Sequence, residues 1–260
     1  MGTRTRSLNE DEFRRYLAEL NSPPERMLAS AAVCAYLLGS GARISEALNL
    51  RYKDVFFASG EPKTEITRTV SKKRDHGKLT PSAIAAVKRC GEAFGISAED
   101  LAGFLASYPP PPGKRVRLTV RFPWDAVGSS LIRWGEECRR VFLIRADEPL
   151  FSTRWTRQAM NRRSILRANG RLLAAAGVDT LRVGLHGLRK TFLRKVLREE
   201  LAAGRDKFDA IRTVQKLAGH ARIETTMIYL QDELEEDFSS AVCRAFADGS
   251  PECQTDNTEE

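Results

Sequence analysis

Five residues in this chain have types and spacings that suit chemistry on a phosphate. His186-Gly-Leu-Arg189 puts an imidazole and a guanidinium at i and i+3, on one face of a helix. Arg43 follows Gly41-Ala42 at the opening of a short helical stretch, with Glu46 three residues on. Gly219-His220 ends an apolar helical run in the pattern of a C-cap glycine with a loop histidine behind it. Tyr229, in Thr225-Thr-Met-Ile-Tyr-Leu230, stands nine residues after His220. Taken singly, each has an ordinary structural use: a surface arginine, a helix-start histidine, a core tyrosine. Taken together they suggest more. Guanidiniums are planar, permanently charged and able to hold phosphate oxygens in pairs, which is what a phosphodiester under attack requires as charge builds on it. A phenol, with a pKa of about 10, becomes a nucleophile at neutral pH only in a cationic pocket or beside a base.

These residues need elements to carry them. Ser7-Leu-Asn-Glu10 reads as a capping box that opens a helix to residue 20, with Phe13, Tyr16, Leu17 and Leu20 at helical spacing. Pro23-Pro24 breaks it, and a largely apolar helix is expected over about 25–38, closed by Gly39-Ser-Gly41. A short helix then carries Arg43 to Leu48. Residues 64–70 alternate and are β-branched, so they predict a strand. Asp75-His-Gly77 signals a turn, with a returning strand expected at 78–80 and a helix at 81–90. Further on, 97–106 reads as helix, four prolines at 109–112 as a stiff turn, 115–121 as an alternating stretch, and 131–143 as helix. After Pro149-Leu-Phe151 helices are expected at 156–176, 186–203, 208–217, 225–230 and 233–246. The expected fold class is mainly α with a small antiparallel β-sheet.

Composition narrows the partners. The 260 residues can bury a sizeable core. From Asp232 onward there are ten acids and one base, Arg244, which leaves 41 bases against 24 acids in residues 1–231, a net of +17. A body so basic, with an acidic end, suits a polyanion, because each Lys or Arg placed at a phosphate releases counterions. No stretch reaches the roughly 18 apolar residues a membrane span needs. Met1 to Ser7 is polar and basic without an apolar run behind it, so the expected setting is cytoplasmic. Five cysteines are scattered without a paired motif, and with three histidines they predict packing thiols and no metal site.

In sequence order, these residues fall into boxes that resemble the tyrosine site-specific recombinase and phage integrase family. Gly41-Ala-Arg-Ile-Ser-Glu46-Ala-Leu-Asn-Leu-Arg-Tyr-Lys-Asp54 resembles the family's first arginine box. Leu185-His186-Gly-Leu-Arg189-Lys-Thr191 resembles its His-x-x-Arg box, and Leu217-Ala-Gly-His220 its Leu-Gly-His box. Ile223-Glu-Thr-Thr-Met-Ile-Tyr229 is similar to the nucleophile box, and Val70-Ser-Lys72-Lys-Arg-Asp-His-Gly77 to the hairpin that carries the family's lysine. The likeness runs over about residues 8–246.

The resemblance implies a tyrosine recombinase catalytic-domain fold and a cofactor-free, metal-free reaction that cleaves and rejoins double-stranded DNA through a covalent 3′-phosphotyrosyl bond. It implies Tyr229 as nucleophile, Arg43 and Arg189 as phosphate clamps, and His186 as a proton-transfer group. His220 would hydrogen-bond a phosphate oxygen, and Glu46 would prop the site. Lys72 best fits the register of the leaving-group lysine, with Lys73 and Lys78 as alternatives. It also implies a homotetramer on two DNA sites, monomeric without DNA, in which the segment 233–246 docks on a neighbour or caps its own domain. One catalytic domain is expected over 1–246, with an insert at about 97–145, an acidic, disordered 247–260, and no N-terminal core-binding domain. Lys190 stands where the family usually has histidine. The alternatives are a type IB topoisomerase-like relaxing enzyme and a DNA-binding protein that kept the fold and lost cleavage.

Overall fold

A computed structural model describes residues 5–71, 96–97, 99–100, 115–153, 157–220, 223, 225–227 and 230. The returning strand expected at 78–80, the helices expected at 81–90 and 233–246, and the acidic end lie outside them, as does most of the helix expected at 97–106.

Helix α1 (Glu10–Asn21) opens with a capping box two residues later than Ser7 and Glu10 predict. The Asn9 side chain accepts from the Glu12 N–H at 2.8 Å, and Glu12 accepts from the Asn9 N–H at 3.0 Å. Ser7 is engaged elsewhere: it is buried, and its hydroxyl accepts from Arg194 at 3.1 Å. A 3-10 turn (Glu25–Met27) follows the prolines, and α2 (Leu28–Ser40) begins three residues later than expected. Its sequence is apolar on every side, so it can only be central.

The short helices α3 (Ile44–Leu48) and α4 (Tyr52–Val55) lead to strand β1 (Glu65–Ser71). Its partner is β2 (Arg115–Arg121), antiparallel, in register from Glu65↔Arg121 to Ser71↔Arg115. Inward, β1 presents Ile66, Arg68 and Val70; outward, the Thr67 hydroxyl meets that of Thr119 at 2.8 Å. Helices α5 (Trp124–Val127), α6 (Ser129–Arg140), α7 (Arg162–Ala175), α8 (Leu185–Ala202) and α9 (Lys207–Ala218) complete the described elements.

The core is built round α2, which packs against α6, α7 and α8. A second cluster joins Leu193 and Leu197 of α8 to Ile211 and Val214 of α9, and to Ile223, Met227 and Leu230 beyond it. The buried Tyr16 hydroxyl is paired across helices, donating to Asn169 Oδ1 at 2.6 Å. The segment ahead of α1 straps the start of α8: Lys190 donates to the Thr5 carbonyl at 2.6 Å, and Leu8 N–H donates to the Thr191 hydroxyl at 2.9 Å. Among the described residues, no helix is long and apolar enough to cross a membrane.

From Arg115 to Arg140 the stretch expected as an insert is part of the core. β2 closes the sheet, and α6 buries Leu131, Trp134 and Cys138 against α2. Trp134 also donates its indole N–H to the Leu150 carbonyl at 2.9 Å. Trp134→Ala should therefore cost about 3–5 kcal/mol in urea unfolding, the loss typical of a buried aromatic. An appended insert would show a change below about 1 kcal/mol, as surface substitutions do.

Candidate active site

Two helix ends meet here. α2 ends at Gly41, in the left-handed region with φ 60°, and its N–H donates to the Leu37 carbonyl at 2.9 Å. A Cβ there would collide with the Phe192 ring. α9 ends in the same way at Gly219, φ 61°, where a Cβ would fall 2.7 Å from Val70 Cγ1 of β1. Both positions need glycine for conformation and for space.

Between these ends lies Arg189, 1% exposed on the first turns of α8. Its Nη1 donates to the Gly41 carbonyl; its Nη2 donates to the Ala218 carbonyl at 2.5 Å and lies 3.1 Å from His220 Nε2. Carbonyls at helix C-termini have no intrahelical donor and carry the negative end of the dipole, so they suit a buried cation. His220 is also buried. An arginine can only donate, so Nε2 accepts and the ring proton sits on Nδ1, facing the Thr226 hydroxyl at 3.0 Å. Thr226 lies in the helical stretch 225–227.

Arg43, the N-terminal residue ahead of α3, is held by Glu46: its N–H donates to Oε2 at 3.0 Å and its Nη1 to Oε1 at 2.8 Å. Arg43, Arg162, Leu185, His186 and Arg189 line an open concavity of about 220 Å³. His186 is exposed by area, yet the protein packed round its ring still desolvates the imidazolium. That desolvation, followed by the charges of Arg189, Lys190, Arg43 and Arg162, holds its pKa at about 4. Burial and then Arg189, Arg43 and His186 hold His220 well below the usual imidazole value. The site is cationic, with both histidines neutral. Among the described residues no group of three or more His, Cys, Asp or Glu is placed to hold a metal.

Arg43, His186, Arg189 and His220 are thus brought together. His220 stands behind Arg189 and outside the lining of the concavity. Tyr229, Lys72, Lys73 and Lys78 lie outside the described residues. Arg68, Arg162 and Thr226 went unnoticed in the sequence. Of these only Arg68 carries a signal, as a charge in the inward register of a strand.

The sequence model of the phage integrase family matches residues 112–236. Residues 112–236 are thus matched as a phage integrase family domain. The match contains His186, Arg189, His220 and Tyr229, while Arg43 precedes it. Among solved structures, the XerH site-specific recombinase bound to a palindromic difH substrate is similar at 18% identity and TM-score 0.56, covering 91% of this chain and 52% of that one. The XerA recombinase is similar at 21% and 0.54, covering 93% and 65%. A lambda integrase fragment, as a dimer bound to a COC′ core site, is similar at 13% and 0.50, covering 88% and 60%. No curated protein matches the sequence. At these identities the likeness concerns the fold, and the integrase domain has the one expected: mainly α with a small antiparallel sheet, as in tyrosine recombinase catalytic domains. The chain spans 52–65% of the length of these structures.

The neutral histidines carry a pH signature. Unfolded, each imidazole takes a proton near pH 6.5; folded, His186 does so only at about 4, and His220 only well below its usual value. The unfolded state therefore binds more protons as pH falls below about 6.5, so stability is full above that value and declines toward pH 4. His220→Gln keeps an acceptor for Arg189 and removes the titration. Between pH 7 and 5.5 the variant should lose less stability than wild type, by up to about 1.4 kcal/mol per unit below 6.5. Equal slopes in urea unfolding at the two pH values would show that His220 is not held neutral.

Proposed function

We propose that this integrase-family protein is a site-specific DNA recombinase that cleaves and rejoins strands through Tyr229. The observation that supports it is the meeting of Arg43, Arg189 and His186 at one open, cationic concavity, with His220 behind them. Arg43 and Arg189 would hold the non-bridging oxygens of the scissile phosphate. The Tyr229 oxygen would attack phosphorus in line, its proton passing to neutral His186, and form the 3′-phosphotyrosyl bond as the bond to the 5′ oxygen breaks. Lys72 would deliver a proton to that departing oxygen. Attack by the 5′ hydroxyl of another strand reverses the step and regenerates the phenol. Held neutral by desolvation and the surrounding cations, the His186 imidazole can accept the phenol proton. Through Arg189 and Thr226, His220 would fix the clamp against the helix that leads to Tyr229, in place of direct contact with phosphate. The partners proposed are two duplexes and four copies of the chain.

The test is a nicked suicide duplex made from the flanks of this protein's own gene. Wild type should form a denaturant-stable adduct mapping to Tyr229, and Tyr229→Phe should form none while binding DNA as before. Arg43→Lys should cleave on the order of a hundredfold slower, because the fork is lost. An adduct with Tyr229→Phe, or wild-type cleavage by Arg43→Lys, sinks the assignment. Relaxation of plasmid without such a site would favour the topoisomerase-like reading.

A further inference from the structure

We propose that Arg68 is a positioning residue of this site: it holds Arg43 in place through Glu46 and, with the other half of its fork, fixes the helix end that presents His220. The proposal rests on reading the concavity as the place of strand cleavage. Arg68 is an unusual resident of its position. In β1 it faces inward between Ile66 and Val70, and it is 2% exposed. Its Nη1 donates to Glu46 Oε2 at 2.6 Å, and its Nη2 donates to the Leu217 carbonyl at 2.7 Å. Glu46 is buried as well, and its two oxygens also take the Arg43 side chain and the Arg43 N–H. Leu217 lies in the last turn of α9, three residues before His220, and its carbonyl is among those a helix end leaves without an intrahelical donor.

The guanidinium of Arg68 therefore ties α3 to the end of α9, whose Leu217 is 149 residues beyond Arg68 in the chain. On one side is the carboxylate that orients the first arginine, and on the other the turn behind the second. Stability alone gives little reason to keep such a pair. Burial disfavours the charged form of Arg68, with Glu46 offsetting it, and apolar replacement of a buried pair is often neutral or better. What an apolar pair cannot supply is direction. Without Arg68, Glu46 Oε2 keeps only the Arg43 N–H, so the carboxylate is held less firmly, and Arg43 with it. A lysine has a single donor head on a flexible stem and cannot hold Glu46 Oε2 and the Leu217 carbonyl as a planar fork does. Arg68 touches no reacting atom on this reading; it acts through Glu46 and through Leu217.

The test uses the full chain and three readouts. Arg68→Lys should fold with the wild-type circular dichroism and bind the suicide duplex within about twofold, yet cleave at least about tenfold more slowly at saturating protein, as expected for a misaligned donor. In an Arg43→Ala background, Arg68→Lys should slow cleavage by less than about twofold further, because the two act as a unit. Multiplying rate losses would mean a general structural effect and overturn the proposal. Wild-type cleavage by Arg68→Lys would overturn it too. Where Arg68→Met is too unstable to study, Glu46→Gln with Arg68→Met removes both buried charges: unfolding stability should recover while cleavage stays slow, and recovery of cleavage would count against a positioning role. Hydrogen–deuterium exchange of the protein alone needs no cleavage. Arg68→Lys should speed exchange at residues 43–48 and 217–220 together, leaving α6 unchanged. Faster exchange at both with no cleavage by wild type would sink the proposed function and leave the coupling standing; unchanged exchange would sink the coupling itself.

Discussion

The site depends on one buried guanidinium. Arg189 is removed from water, and its charge faces the Gly41 and Ala218 carbonyls, at the C-terminal ends of α2 and α9. A charge so placed is tolerable only while those acceptors stay aimed at it. The arrangement therefore runs both ways: two helix ends fix the arginine, and the arginine fixes the two helix ends. From that follow the left-handed glycines, the close approach of Gly219 to Val70, and the packing of Phe192 beneath Gly41. Neither glycine could carry a Cβ without displacing its neighbour, and displacing either neighbour would shift an acceptor of Arg189.

Its charge also governs the ionisation of the site. Arg189 stands directly after desolvation among the causes that keep His186 and His220 neutral. Because His220 is neutral, it can accept from Arg189 and donate onward to Thr226, which makes a directed chain from the arginine to the helical stretch 225–227. Protonation of His220 would put two donors face to face and break that chain. The same logic limits what the concavity favours. Cations line it, and the Glu46 carboxylate beside Arg43 is taken up by Arg43 and Arg68.

Much of this was legible in the sequence, and for identifiable reasons. Gly41 and Gly219 stand just past apolar helical runs, where only a C-cap is ordinary, so both helix ends could be placed. The i, i+3 spacing of His186 and Arg189 placed them on one face of α8, and β1 followed from alternation. Other features needed three dimensions. The capping box moved from Ser7 to Asn9 because Ser7 is taken by Arg194, a partner 187 residues away. β1 pairs with β2 across more than forty intervening residues, a register that no local turn signal announces. The stretch 115–140 was expected as part of an insert, yet the family model's match includes it and the burial of Leu131 and Trp134 shows it filling the core.

The deeper reason concerns what a sequence can say about charge. Forty-two basic residues make any one of them look like part of a solvated surface. Periodicity finds apolar faces and passes over an arginine among them, so Arg68 between Ile66 and Val70 reads as an exception to a strand. Burial inverts that reading. An exposed arginine is held loosely by several weak partners, whereas a buried one must have its donors matched by acceptors in fixed directions. Arg68 and Arg189 are the two largest fully buried side chains in the described fold, and each bridges elements distant in sequence. Most of the positive charge can draw in a polyanion from any side. These two instead help set where Glu46, Arg43 and His220 stand, so that, on the proposed reading, a phosphate arriving in the concavity would meet donors already in place.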